Sequence, residues 1–363
     1  MAPYFALITL WISLAVLLEV SGKDSNSRRV FVVVAGTSLF ALLASRAATV
    51  GTDLVAYSIQ YADGFFRDDE PGISLLMDLT NALSLPFQAF LAIVALIVVV
   101  SVSYLYYHYS PAPLLSFVLF VSFGLLAMSM TGLRQILAVS VTIWAFIALT
   151  RGARIWFFLL VALASTFHLS AIIFFPVYLL RHIAITRIRA LVAFVGVGIG
   201  AFVFGTIDTV DRVVEFLALD SYQRSVLEGL VWSPNPATVL VAAAVPVLCL
   251  ALWPKDGAPA TVVSGVESKL NIPSLLFLLS LAFFATSIIN LNVPLAGRLG
   301  YYFVAYATLL VPIVVTAYPF RGVRHLAYAV VLILAIVQFA IVTPGSSLGI
   351  DDYKPFWSAD VER

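Results

Sequence analysis

The sequence predicts an all-α fold: a polytopic bundle of transmembrane helices with about 12 spans, within a range of roughly 10 to 12. Hydrophobic residues make up 62% of the 363 residues and charged residues only 11%, whereas soluble domains carry roughly a quarter charged residues. The apolar residues are gathered in stretches of about 20, the length that crosses a bilayer core. The charged residues are distributed unequally over the segments between those stretches. We therefore predict one integral membrane domain over residues 1–363, with no soluble domain.

The apolar stretches are expected to be helical because hydrocarbon offers the backbone no hydrogen-bond partners. A β-barrel is excluded because stretches such as Ala92–Val102 are continuously apolar and do not alternate. The predicted spans are residues 3–20, 30–45, 84–104, 112–130, 135–150, 155–168, 169–181, 190–207, 236–253, 273–290, 300–318 and 325–343. The residues from 155 to 181 form either one long helix or two short ones that meet at His168.

The distribution of charge predicts the orientation. The first stretch has no basic residue before it, whereas Lys23, Arg28 and Arg29 follow it, which is not typical of a cleavable signal peptide. If the loop after the first span is cytoplasmic, that side receives 12 basic and 4 acidic residues, and the outer side receives 8 basic and 15 acidic residues. Cytoplasmic loops carry the excess of lysine and arginine, so we predict that both termini are non-cytoplasmic.

The long polar segments are all on the predicted outer side, at about 46–83, 208–235 and 344–363. Polar loops on a rigid helical scaffold often carry function, so we expect the functional site on the outer face. Within the first loop, Pro71–Leu85 has apolar residues at helical spacing: Ile73, Leu76, Leu79 and Leu83. This spacing predicts an interfacial helix that lies along the membrane surface.

Three arginines stand at the outer ends of predicted spans, on the side where positive charge is disfavoured: Arg46, Arg134 and Arg298. They can be interface anchors, or partners of the surplus outer carboxylates. If they converge, they form a site for an anionic headgroup, because guanidinium groups match phosphate oxygens bidentately. The sequence leaves both interpretations open.

Six short motifs carry a resemblance to a known family. In chain order they are Arg46 with Val50-Gly51-Thr52-Asp53 and Tyr57, Glu70-Pro71-Gly72, Gly132-Leu133-Arg134-Gln135, Phe167-His168-Leu169-Ser170-Ala171 with Pro176 and Tyr178, Arg298 with Tyr301-Tyr302-Phe303, and Tyr353-Lys354-Pro355-Phe356. In this order and spacing the chain resembles the EpsG family of bacterial exopolysaccharide proteins, which is related to Wzy-type polysaccharide polymerases. The resemblance extends from Arg46 to Phe356.

The resemblance implies a GT-C-like membrane glycosyltransferase in the bacterial inner (plasma) membrane. Such an enzyme would polymerise oligosaccharide repeat units, linked to undecaprenyl pyrophosphate, into exopolysaccharide or O-antigen at the outer face. The implied partners are the lipid-linked oligosaccharide, the lipid bilayer, a chain-length regulator and other polysaccharide assembly proteins. No nucleic acid is expected. The sequence has no glycine-rich phosphate loop and no zinc-ligand spacing, so we predict neither a metal nor a cofactor.

The resemblance also implies roles for individual residues. Arginines can stabilise a pyrophosphate leaving group without a metal, and the candidates are Arg134, Arg298 and Arg46. A base near the acceptor hydroxyl would aid transfer, and the candidates are His168, Asp53 and Glu70. Further substrate contacts are expected at Gln135, Tyr57, Tyr301 and Tyr302.

Each base candidate also has a structural interpretation. Asp53 is suited to a turn or a helix cap, and Glu70 to a solvated acidic turn beside its acidic neighbours. His168 could bond a carbonyl in the protein interior, although a titratable group at membrane depth usually has a task. Two other functions also stay open: a flippase or transporter of lipid-linked sugars, and an O-antigen ligase-type transferase.

Overall fold

A computed structural model of the chain describes residues 1–21, 25–64, 70–206, 236–253, 270–293, 296–344 and 348–358. The predicted outer loop 208–235 lies outside these described residues, as do residues 65–69 of the first outer loop. Within the described residues the chain is helical, which confirms the predicted all-α class. Its only strand-like pairing there is an isolated antiparallel bridge between Arg46 and Pro355.

The described residues form fifteen α-helices and one 3-10 helix, the latter at Leu169–Phe174. In chain order the α-helices are α1 (Ala2–Ser21), α2 (Ser25–Ala44), α3 (Leu54–Asp63), α4 (Pro71–Ala82), α5 (Phe87–Tyr109), α6 (Pro113–Ser122), α7 (Leu125–Thr131), α8 (Leu133–Thr150), α9 (Arg154–Phe167), α10 (Val177–Leu180), α11 (Arg187–Gly205), α12 (Pro236–Leu252), α13 (Ile272–Ile289), α14 (Ala296–Ala317) and α15 (Arg321–Val342).

Many of these helices are long and apolar enough to cross a membrane. In the described part of the chain there are seven, namely α2, α5, α8, α11, α13, α14 and α15. The bent pair of α6 and α7 raises the number to eight if it forms one span. The apolar helices at α1, α9, residues 169–180 and α12 are shorter. The transmembrane helical fold is supported, and the count of about 12 spans stays a prediction.

Two predicted spans differ from continuous helices. Residues 112–130 form α6 and α7, which bend by 55° at a break where Gly124 has a left-handed φ of 84°. The Ser122 carbonyl at this break accepts a hydrogen bond from Gln338 Nε2 at 3.0 Å. The sequence after α9 continues as the 3-10 helix and the short α10, with His168 in an extended conformation between α9 and the 3-10 helix. His168 is therefore the junction between two short elements.

The described residues divide into two compact units. The first comprises the described parts of Met1–Tyr178 and Pro319–Arg363, and the second those of Leu179–Thr261 and Leu270–Tyr318. In the first unit α8 packs against α5 and α9, while α4 packs against α5 and α9. In the second unit α13 packs against α11, α12 and α14. The single integral membrane domain stays a prediction.

The N-terminus and the C-terminal segment around Ile350 meet at one end of the first unit. The Met1 amino group donates to the Asp351 carbonyl at 2.8 Å, and the Tyr4 hydroxyl donates to the Ile350 carbonyl at 2.7 Å. The N-terminus therefore lies close to the C-terminal segment. Which side of the membrane they face stays a prediction.

The opposite end of the first unit carries basic and aromatic residues. Arg28 donates to the carbonyl of Tyr107 in the last turn of α5 and to that of Ser110 just after the helix, the second at 2.7 Å. Arg151 donates to the Tyr104 hydroxyl. This is the end that the charge distribution assigns to the cytoplasm.

The helix predicted over Pro71–Leu85 is confirmed as α4 (Pro71–Ala82). The face that α4 buries differs from the predicted apolar face. Ile73, Met77 and Thr80 are buried. Leu79 and Leu83, which were expected on the same face as Ile73, are 55% and 71% exposed. At 100° per residue they lie well away from Ile73 around the helix. The location of α4 at the membrane interface stays a prediction.

Candidate functional site

A single carboxylate, that of Glu70, joins two other candidate residues in the first unit. Its Oε2 accepts a hydrogen bond from Arg134 Nη1 at 2.6 Å, and its Oε1 lies 2.6 Å from His168 Nδ1. The Glu70 side chain is 8% exposed, whereas those of Arg134 and His168 are 26% and 20% exposed. The carboxylate is therefore enclosed, while the two groups that it binds keep access to the surroundings.

The sequence Glu70-Pro71-Gly72 explains how Glu70 reaches this position. Pro71 opens α4, and a residue before proline is disfavoured in the helical region, so Glu70 stays outside the helix at φ −131° and ψ 78°. Gly72 lies against the last turn of α9, where an added Cβ would be 2.6 Å from Thr166 Oγ1 and 2.9 Å from the Thr166 carbonyl oxygen. Only glycine allows this approach of α4 to α9, and the approach brings Glu70 to His168.

Tyr57 of α3 fixes the other side of Arg134. Arg134, in the first turn of α8, donates from Nε to the Tyr57 hydroxyl at 2.9 Å. Burial raises the pKa of Tyr57, so its hydroxyl stays protonated at physiological pH. A hydrophobic cluster drawn from α3, α4, α5 and α8 underlies these groups; it contains Leu54, Tyr57, Tyr61, Ile73, Met77, Phe90, Leu91, Val94, Leu133 and Leu137.

The hydrogen bonds decide which atoms are available for chemistry. An ionised carboxylate can only accept hydrogen bonds, so the Glu70 contact requires a proton on His168 Nδ1. In a neutral imidazole the lone pair is then on Nε2, which has no hydrogen-bond partner among the described residues. Arg134 uses two of its N–H groups on Tyr57 and Glu70. Its remaining N–H groups have no partner in the described part of the chain, so the cluster offers both a base and a donor to an anion.

The structure does not bring Asp53 into this cluster. Asp53 precedes α3 at the N-cap position, is exposed, and makes no capping hydrogen bond through its side chain. Its Oδ1 accepts a weak bond from Thr52 Oγ1 at 3.4 Å. Of the two interpretations of Asp53, this position favours the turn before a helix.

The side chain of Arg46 lies in the protein interior. It is 1% exposed, and its guanidinium donates to the Leu43 carbonyl and, at 3.2 Å, to the Ser129 carbonyl. These carbonyls belong to the last turns of α2 and α7, where helix dipoles favour a cation. Burial lowers the pKa of Arg46 to about 10, so the group remains charged at neutral pH. The geometry therefore argues against the predicted pyrophosphate contact of Arg46.

The remaining predicted residues are distributed over both units. Gln135 is buried in α8 next to Arg134. Arg298 is exposed in the first turn of α14 in the second unit, where Tyr301 is partly buried and Tyr302 fully buried. The convergence of Arg298 with Arg134 and the substrate contacts of these residues stay predictions.

Sequence reasoning missed the contribution of Gly72 and its neighbour Thr166. A signal was present, because glycine in a helix costs about 1 kcal/mol relative to alanine and needs a reason there. The proximity of Thr166 is set by tertiary packing, and nothing in the local pattern indicates it.

A comparison with known protein families gives a match over most of the chain. The model of the EpsG family matches residues 29–357. No curated protein and no solved structure matches. Within the described residues, no group of three or more His, Cys, Asp or Glu side chains is placed to hold a metal ion.

Proposed function

Because this chain belongs to the EpsG family, we propose that it is a polysaccharide-polymerase-type glycosyltransferase of the bacterial plasma membrane. Its proposed substrates are oligosaccharide repeat units carried on undecaprenyl pyrophosphate, and its site faces the outer side of the membrane. The observation that carries the proposal is the Glu70 carboxylate, which binds Arg134 and His168 at 2.6 Å each. A charged donor to an anion and an oriented base are the two groups that this transfer requires.

His168 is the proposed general base. Its Nε2 takes the proton from a hydroxyl of the acceptor sugar while that oxygen attacks the anomeric carbon of the donor. Glu70 holds the imidazole through Nδ1 and stabilises the imidazolium that forms, as the carboxylate does in other carboxylate–histidine pairs. Glu70 is thus a positioning residue in this proposal, and Asp53 has no role in the proton transfer.

Arg134 is the proposed donor to the leaving group. As the bond between the anomeric carbon and the phosphate oxygen breaks, its electron pair passes to that oxygen and the pyrophosphate gains negative charge. A guanidinium fixed by Tyr57 and Glu70 needs little reorganisation to stabilise that charge. A contribution of Arg298 to the same charge stays a prediction from the sequence.

The test uses purified protein and a lipid-linked repeat unit, with product length resolved on a gel. We expect His168→Ala and Arg134→Ala each to lower the rate of polymer formation roughly 10²–10³-fold. Matched controls are His325→Ala and Arg321→Ala, which replace an exposed histidine and an exposed arginine in the first turns of α15.

Two results would contradict the proposal. One is polymer formation at the wild-type rate by either His168→Ala or Arg134→Ala. The other is movement of the labelled headgroup across vesicles without any change in its length, which would indicate a flippase.

A further inference from the structure

The proposed chemistry uses neither Arg46 nor the motif around Tyr353, yet the segments that contain them bind each other. Residues 45–53, called here the 45–53 loop, run alongside the C-terminal segment Leu348–Phe356. Four backbone hydrogen bonds join them: Phe356 N–H to the Ser45 carbonyl at 2.8 Å, Ala47 N–H to Lys354 at 2.8 Å, Gly51 N–H to Gly349 at 2.9 Å and Thr52 N–H to Leu348 at 3.2 Å. The Tyr353 hydroxyl lies 2.9 Å from Ser45 Oγ of this loop and donates to the Leu42 carbonyl in the last turn of α2 at 2.8 Å.

The 45–53 loop packs against α7, the helix that precedes Arg134 in the chain. Arg46 binds the Ser129 carbonyl, and Gly51 approaches Met130 so closely that an added Cβ would be 2.5 Å from its carbonyl oxygen. Gly51 also has a φ of +108°, a region that other residues rarely adopt. Because α7 ends at Thr131, these contacts fix the backbone that leads into the first turn of α8.

The same loop also controls the second support of Arg134. Its last residue, Asp53, precedes α3, and the Asp53 carbonyl accepts the Tyr57 N–H at 3.2 Å. Tyr57 then binds Arg134 Nε through its hydroxyl. The loop therefore supports Arg134 in two ways. Its contacts with α7 fix the backbone that leads to Arg134, and its connection to α3 places Tyr57 against the Arg134 side chain.

We propose that the C-terminal segment and the 45–53 loop form a clamp that positions Arg134, with Arg46, Gly51 and Tyr353 as positioning residues. The inference rests on the proposed function, because the position of Arg134 matters most if it stabilises the leaving group. The inference also gives a role to Arg46, whose buried guanidinium connects the ends of α2 and α7. Removing it would leave the Leu43 and Ser129 carbonyls without this donor.

The clamp is tested with Gly51→Ala, which pushes the loop away from α7. The control is Gly152→Ala, because Gly152 also has a positive φ, +75°, but has no atom within 4 Å of an added Cβ. Gly152 lies at the opposite end of the first unit. We expect Gly51→Ala to lower kcat roughly 10- to 100-fold with little change in KM, as a displaced transition-state donor would. Gly152→Ala should retain the wild-type kcat.

A second readout does not depend on activity. The rate at which phenylglyoxal modifies Arg134, measured by mass spectrometry relative to the exposed Arg321, should rise in Gly51→Ala and in Tyr353→Phe. Tyr353→Phe removes the hydroxyl that contacts Ser45 of the loop and Leu42 of α2, and it keeps the ring, so it reports on the clamp even if Gly51→Ala fails to fold.

The outcomes separate the two proposals. If Arg134→Ala is inactive while Gly51→Ala and Tyr353→Phe match the wild type in kcat, the clamp is wrong and the proposed function stands. If Arg134→Ala is fully active, the proposed function is wrong. The clamp is then judged by the phenylglyoxal rate, and an unchanged rate in both variants overturns it.

Discussion

Glu70 gains its proposed role from its neighbours, because the same side chain in a solvated turn would have none. Its enclosed carboxylate is bound by a guanidinium on one oxygen and an imidazole on the other. Burying a carboxylate without such partners would cost several kcal/mol, so its two partners are required for the observed position. The imidazole is in turn restricted to the tautomer with its lone pair on Nε2.

Replacement of Glu70 by glutamine tests this restriction directly. A glutamine side chain can accept from Arg134 with its oxygen and turn its amide N–H₂ toward His168, so that Nδ1 becomes the acceptor and Nε2 carries the proton. We expect Glu70→Gln to lower the polymerisation rate about 10²–10⁴-fold, the range for loss of a general base. The ¹⁵N NMR shifts of His168 should report the tautomer change.

The matched variant is Glu70→Asp, which keeps the charge and the accepting oxygens on a shorter side chain. It should retain the wild-type tautomer and lose less activity than Glu70→Gln. Equal activity of Glu70→Gln and the wild type would show that the carboxylate does not orient a base.

Helix α4 illustrates how a short element positions a site. It cannot span a bilayer at twelve residues, so its place depends on packing against α5 and α9. Gly72 sets the distance to α9, and Ile73 and Met77 fill the cluster beneath. The site is therefore sensitive to the spacing between α4 and α9, although Gly72 itself contributes no functional group.

Gly72→Ala is predicted to separate Glu70 from His168. The added Cβ would overlap the backbone of Thr166, which cannot rotate away, so the start of α4 must move. Overpacking of this kind costs typically 1–3 kcal/mol, and a shift of about 1 Å at a catalytic group can cost about 10²-fold in rate. Turnover and thermal stability of the purified variant measure the two effects.

A close control exists in α15. Gly322 is the second residue of its helix, as Gly72 is of α4, and nothing lies within 4 Å of its added Cβ. Gly322→Ala should therefore keep the wild-type rate and a stability at least as high, since alanine favours a helix. Wild-type turnover in Gly72→Ala would show that the close approach to α9 does not govern the site.

At the scale of the whole molecule, the charge distribution and the contacts in the first unit are consistent. The Glu70 cluster, Met1 and the C-terminal segment Leu348–Phe356 lie at one end of that unit, and the basic residues Arg28 and Arg151 lie at the other. The predicted orientation assigns the first end to the outside, where the proposed lipid-linked substrate would be displayed.

Cysteine labelling in intact cells tests this orientation. The only native cysteine, Cys249, is buried and should not react. We expect a membrane-impermeant thiol reagent to modify Ser358→Cys from outside, because Ser358 is exposed in the last described residues. Gly322→Cys, at the basic end, should react only after permeabilisation. The reverse pattern would place the Glu70 cluster in the cytoplasm and contradict the outer-face proposal.

The resemblance to the EpsG family supplied His168, Glu70 and Arg134 as candidates, whereas the sequence by itself determined the helical membrane fold and most helix positions. It could do so because apolar stretches in a bilayer must satisfy their own backbone hydrogen bonds, a local property that residue order reveals. Only the tertiary structure decided which candidates meet. Glu70 lies 64 residues from Arg134 and 98 from His168, and Arg46, of the same type as Arg134, lies buried against α2 and α7. These outcomes depend on how helix surfaces pack against each other, such as Gly72 against Thr166. Such packing joins residues that are distant in the chain, so no local sequence pattern predicts it.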